Sequence, residues 1–165
     1  FNAPNFLKVP EPLIQKNFSR IMSLKDGTSK MSKSDPSDLS RINLTDNKDQ
    51  IVSKIKKAKT DNDPLPSDDK NLSERPEVEN LLGIYSSLIN QNLSNSINEF
   101  SGKNFSEFKE KLAELVVEKI SPISSEINKL QKDTTYIDNI LKDGGERANS
   151  IASKKIEEIK RIIGF

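Results

Sequence analysis

Apolar residues recur at helical spacing along most of the chain beyond residue 46. Ile51, Val52, Ile55 and Ala58 share one face behind Asp46 or Asn47, whose side chains can accept from the free amides of a helix start. Val78, Leu81, Leu82, Tyr85, Leu88 and Ile89 form a denser stripe, with Pro76 where a first helical residue tolerates the missing amide. A short helix is predicted near Ser94–Phe100. Asn104 and Glu107 then have capping-box spacing ahead of Phe105, Phe108, Leu112, Leu115 and Val116. Pro122 is expected to kink or restart that helix, with Ile123, Ile127 and Leu130 carrying it on. Gly144-Gly145 divides the last stripe: Ile137, Ile140 and Leu141 precede it, and Ala148, Ile151, Ala152, Ile159, Ile162 and Ile163 follow. The pattern predicts roughly five or six helices and no internal repeat.

The pattern before residue 46 is different. Pro4, Pro10 and Pro12 mark an irregular opening, and Arg20-Ile21-Met22-Ser23-Leu24 alternates as a short strand would. Lys25 to Ser40 is rich in Gly, Ser, Asp, Lys and Pro, the composition of an exposed loop. Arg41-Ile42-Asn43-Leu44 could be a second extended piece. Farther on, Pro64 and Pro66 make the stretch between the first two helices an irregular linker.

Composition narrows the chemistry. Apolar residues are 33% of the chain, aromatics 5% and charged residues 31%. So lean a core favours helices, which need only one apolar stripe each, over a two-sided sheet. There is no cysteine and no histidine, which excludes disulfides, thiol nucleophiles, imidazole bases and the usual zinc cages. No uncharged stretch is long enough to span a bilayer, and no signal-peptide pattern is seen. The chain opens on Phe1-Asn2 without methionine, so a longer polypeptide is expected upstream. Net charge is +1, but residues 1–60 hold twelve Lys and Arg against six Asp and Glu, and residues 61–80 hold two against seven. The positive field is concentrated in the first third.

Lys30-Met31-Ser32-Lys33-Ser34 is the stretch that could carry chemistry. Two ammonium groups three residues apart on a flexible loop can converge on one polyanion, with hydroxyls and loop amides as further donors. Such a loop would stabilise charge growing on a leaving pyrophosphate, which is electrostatic catalysis rather than acid–base work. Taken alone, a lysine- and serine-rich pentapeptide is more often just a solvated loop.

These five residues match the KMSKS signature of class I aminoacyl-tRNA synthetases without a substitution. Arg20–Leu24 before it, Ser34-Asp35-Pro36 after it, Arg41–Asp46, Lys56–Asp61, Asn80–Tyr85, Pro122-Ile123 and Gly144–Ala152 resemble the tryptophan-specific branch, in order, along essentially the whole chain. The chain is thus similar to the C-terminal half of bacterial-type tryptophanyl-tRNA synthetases. The tyrosine-specific branch usually has a different signature and a small β-containing tail, and neither is seen.

The resemblance implies a mostly α fold. Residues 1–45 would be the end of a truncated Rossmann-like catalytic domain, contributing its last strand and the signature loop, and residues 46–165 a helical domain of the anticodon-binding type. It implies ATP-dependent activation of tryptophan and transfer to its tRNA, with Mg2+ held through the ATP phosphates rather than by protein ligands. Lys30 and Lys33 would contact the departing pyrophosphate. Met31 and Ser32 would line the adenosine and phosphate side through backbone groups, Ser34 would add a phosphate contact, and Ile21 would pack near the adenine or serve as a strand-core residue. The partners implied are tRNA(Trp), tryptophan and ATP, in a homodimeric parent in the bacterial cytoplasm or an organellar matrix.

Among other residues, Asp35 is expected to order the loop end, and Tyr85 and Phe108 to be core residues rather than base-stacking platforms. Lys54, Lys56, Lys57 and Lys59 read as a solvated helix face more readily than as phosphate contacts. The histidine-containing first signature and the tryptophan pocket lie outside this chain, so alone it is expected to be inactive. A stand-alone helical interaction or RNA-binding module without nucleotide chemistry is the alternative.

Overall fold

The structure is a computed structural model describing residue 3, residues 6–14 and residues 18–165. Of the expected irregular opening, Pro10 and Pro12 lie outside any regular element, whereas Pro4 lies outside the described residues. Among the described residues there are five α-helices: α1 (Lys48–Lys56), α2 (Pro76–Leu88), α3 (Leu93–Phe100), α4 (Phe105–Leu130) and α5 (Thr134–Ile163). Short 3-10 turns stand at Asp38–Ser40 and Leu72–Glu74. The residues group into two compact units, one of residues 14–127 and one of residues 1–13 with 128–165.

The first unit is built around α1 to α4. Asn47 and Gln50 close a full capping box on α1, each side chain bonding the other's backbone amide. The expected stripe is inside: Ile51, Ile55 and Ala58 are buried together with Val78, Leu81 and Leu82 of α2. Phe100 and Phe108 are fully buried and meet edge to face at 4.8 Å, with the Tyr85 ring 4.9 Å from Phe100. Tyr85 and Phe108 are core residues, as expected. The linker is irregular but fixed. Arg75 grips Asp61 with two parallel bonds of 2.6 and 2.7 Å and also donates to the Pro64 carbonyl, while Leu65 is buried.

Two helix expectations need correction. α4 does not restart at Pro122; it is one helix from Phe105 to Leu130. The proline is exposed, and the turn after it is pinned by buried Ser124, whose hydroxyl contacts the carbonyl oxygens of Leu44 (2.6 Å) and Asp46 (3.0 Å). Tertiary bonds on that side offset the amide that proline removes. The Asn104 cap forms only in part: its side chain accepts from the Glu107 amide, but the Glu107 carboxylate turns to Lys103 instead.

In the second unit, the Gly144-Gly145 pair does not divide the last stripe, because α5 continues through it. Two glycines weaken a helix by about 1 kcal/mol each but need not break it. Asp133 caps the start by accepting from the Tyr136 amide, and Gly164 closes the end at φ 90°, a left-handed geometry that glycine adopts without Cβ strain. Lys155 lies over the Phe6 ring at 3.7 Å. No residue of α5 is buried, and Ile151 is 74% exposed.

Candidate functional site

Residues 21–31 double back on themselves. The Ser23 amide donates to the Ser29 carbonyl at 2.8 Å, and the Met31 amide to the Ile21 carbonyl at 3.0 Å. These bonds make one antiparallel bridge, Met22 to Lys30, and among the described residues no longer strand forms. The expected strand over Arg20–Leu24 is therefore reduced to this bridge. Its other backbone groups find isolated partners instead of a ladder. The Leu24 amide donates to the Ser40 carbonyl, and the Leu24 carbonyl accepts from the Lys59 amide. The Met22 amide donates to the side-chain oxygen of Asn80 at 2.9 Å, and the Asn80 amide nitrogen donates back to the Met22 carbonyl at 2.8 Å. Arg41, the start of the second expected extended piece, is extended but lies in no strand.

The turn at the tip of this doubling is closed by Asp26. Its carboxylate accepts from the Ser29 hydroxyl (2.6 Å), the Thr28 hydroxyl (2.7 Å) and the Thr28 amide (3.0 Å). Bonds from Ser29, then Thr28, hold this carboxyl at about 2, below its ordinary 3.8. Gly27 backs onto the first turn of α2 so closely that a Cβ would fall 2.4 Å from the Glu77 nitrogen and the Pro76 carbonyl carbon. Only glycine fits that approach.

Past the bridge, the half-buried Met31 side chain packs against the core, which fixes the root of the signature. The hydroxyls of Ser32 and Ser34 lie 2.9 Å apart, and the Ser34 amide donates to the Ser32 hydroxyl. Asp35 accepts from the Ser37 amide at 2.7 Å, so it orders the loop end as expected. Arg41 then ties down the return by donating to the Asp35 carbonyl. Lys54, expected on a solvated face, is instead buried. Its ammonium bonds Asp46 at 2.6 Å and Asp38 at 2.7 Å, because an ammonium this deep needs carboxylates to offset its lost hydration. Lys59 is paired with Glu77 at 2.7 Å, which raises the lysine and lowers the glutamate from their ordinary values, while Lys56 and Lys57 are exposed.

Lys30 and Lys33 differ from Lys54 and Lys59 and resemble Lys56 and Lys57. Both are exposed, and among the described residues neither forms a hydrogen bond or ion pair. The structure thus brings Lys30 to Ser34 together on one loop, beside Ile21, whose side chain is 46% exposed rather than in a core. A cleft of about 940 Å³ opens on the α2 side of the loop base, lined among others by Arg20, Met22, Glu79, Asn80 and Gln91. Arg20 and Glu79 are the charged groups among its described lining residues, so its formal charges balance. Reading the sequence missed Asn80 as a site residue. Helical spacing places Asn80 off the apolar stripe of α2, so the pattern carried no signal that its side chain would be buried.

The family described as tRNA synthetases class I (W and Y) matches residues 1–139. A tryptophan–tRNA ligase of Agrobacterium fabrum is 54% identical over 160 residues, covering 97% of this chain and 45% of the relative. The Caulobacter vibrioides ligase of the same name is 46% identical over 165 residues, 48% of its length. The crystal structure of tryptophanyl-tRNA synthetase from Mycoplasma pneumoniae superposes with a TM-score of 0.73 at 27% identity, covering 92% of this chain and 45% of that one. The Campylobacter jejuni enzyme shares the fold at 21% identity, with a TM-score of 0.66. The chain spans about half the length of the curated relatives it matches. By the extent of that match, the chain belongs to the class I tRNA synthetases (W and Y).

Proposed function

We propose that this chain is the C-terminal part of a tryptophan–tRNA ligase and that Lys30 and Lys33 neutralise charge on pyrophosphate as it leaves ATP. The observation that carries the reading is the pair of exposed ammonium groups, without a partner among the described residues, on a loop whose base is anchored in a core. The high identity to tryptophan–tRNA ligases supports tryptophan over tyrosine as the amino acid. In this reading, residues 1–45 complete the catalytic domain of the longer protein, and residues 46–165 form the helical domain that meets tRNA(Trp). Magnesium arrives with the ATP phosphates. The parent is a cytoplasmic homodimer.

The tryptophan carboxylate attacks the α-phosphorus, the bond to the β-phosphate oxygen breaks, and the electron pair leaves with pyrophosphate. The two lysines meet that growing charge. At about 4 Å and an effective dielectric near 20, one unit charge opposite another is worth about 4 kcal/mol. Losing one preorganised donor to a developing oxyanion costs about 10²–10³-fold in rate, so the two scales agree. Ser32 and Ser34 exchange their mutual contact for phosphate oxygens, the Met31 and Ser32 backbone borders the adenosine, and Ile21 covers the adenine edge.

In the full-length ligase, Lys33→Ala is expected to lower kcat for tryptophan-dependent pyrophosphate exchange while tryptophan binding holds. Equal losses in both would argue against a role confined to the transition state.

A further inference from the structure

We infer that Asn80 is the positioning residue of the lysine loop: its buried carboxamide stands in for a missing neighbouring strand and sets where Met22, and through it Lys30, lies relative to α2. This rests on the reading of Lys30 and Lys33 given above. Asn80 is 2% exposed although it lies off the apolar stripe of α2, and its one side chain meets both backbone groups of one distant residue. An adjacent β-strand would offer the same donor and acceptor pair. A third, longer contact of 3.5 Å reaches the Ser23 carbonyl. Because the Met22 amide is a donor, the carboxamide oxygen must face it, so the orientation of the side chain is fixed by chemistry.

The next links are short. Met22 is bridged to Lys30, and the flanking bonds run from Ser23 to Ser29 and from Met31 to Ile21. Gly27, pressed against Pro76 and Glu77 one turn before Asn80, makes α2 the wall for the whole doubled segment. A helix of the tRNA-facing part therefore holds the base of the phosphate loop through a directional, two-bond clamp that apolar packing cannot replace. Truncating the carboxamide leaves the Met22 amide and carbonyl without partners and lets the bridge drift along α2.

The test uses the full-length ligase with Asn80→Ala, Lys30→Ala/Lys33→Ala, and the two combined. Pyrophosphate exchange gives kcat and KM, and hydrogen exchange reports the Met22 and Met31 amides. Asn80→Ala is expected to lower kcat by up to about 100-fold, the scale of a misplacement near 1 Å, with KM for tryptophan held. In the doubly substituted lysine background it should lower kcat no further, since a residue acting through those lysines has nothing left to position. The Met22 and Met31 amides should exchange faster. An equal loss of kcat in both backgrounds, or unchanged protection of those amides, overturns the inference. If the lysine pair proves dispensable, the reading of the loop fails, and amide protection still decides whether Asn80 positions it. Should Asn80→Ala fail to fold, Asn80→Asp keeps the acceptor for the Met22 amide, loses the donor, and is held to the same outcomes.

Discussion

Asp26, Asp35, Asp38 and Asp46 flank the lysine pentapeptide in sequence, and each is engaged elsewhere. Asp26 takes Thr28 and Ser29, Asp35 takes the Ser37 amide, and Asp38 and Asp46 share Lys54. Local hydrogen bonds and one buried cation thereby leave Lys30 and Lys33 without a carboxylate partner among the described residues. Asp26 gives a titration to check. Its folded-state value is depressed, so the bonds to its ionised form contribute stability above its ordinary 3.8 and are lost as pH falls through about 2. Carboxyl NMR should find it titrating near 2, and Ser29→Ala should raise it; a midpoint near 3.8 would contradict the turn geometry. Lys54→Met strands Asp46 in the interior and should cost about 3–5 kcal/mol in urea unfolding. Gly27→Ala is expected to destabilise as well, by forcing the turn off α2 where a Cβ would sit 2.4 Å from backbone.

At the scale of elements, the helices were legible because their stripes and caps are local. Asn47 at the start of α1, Pro76 at the first position of α2, and the Ile51–Ile55 face all stand where the sequence predicts them. Pro122 and the Gly144-Gly145 pair misled because local propensity was the only guide. Ser124 holds the turn beyond the proline through contacts about 80 residues away in sequence, which no window of the chain displays. The strand at Arg20–Leu24 was misread for a related reason. Alternation reports an extended segment, whereas a strand also needs a neighbour, and here a side chain from α2 takes that place. The stripe of α5 likewise marks one apolar face without saying what covers it. Gly144 and Gly145 have open space around them, so replacing each with alanine should stabilise α5 by about 0.5–1 kcal/mol, read by helical circular dichroism during melting. Phe108→Ala, in the fully buried aromatic cluster, should instead cost about 3–5 kcal/mol.

Across the whole molecule the balance of charge is nearly even, and the local field depends on where charge is left unpaired rather than on its sum. Net charge of +1 hides a first third with twice as many cations as anions. Within it, Lys54 and Lys59 are paired, while among the described residues the Lys30 and Lys33 ammonium groups have no hydrogen-bond or ion-pair partner. The pentapeptide itself was legible only through its resemblance to a signature, because residue physics alone favours a plain solvated loop. The clamp that holds it was not legible, since Asn80 and Met22 are 58 positions apart. The most direct measurement is tryptophan-dependent pyrophosphate exchange by the full-length ligase carrying Lys30→Ala and Lys33→Ala together. The expected result is a loss in kcat of at least about 10²-fold with tryptophan affinity held. Exchange at the unsubstituted rate would contradict the role assigned to these two lysines.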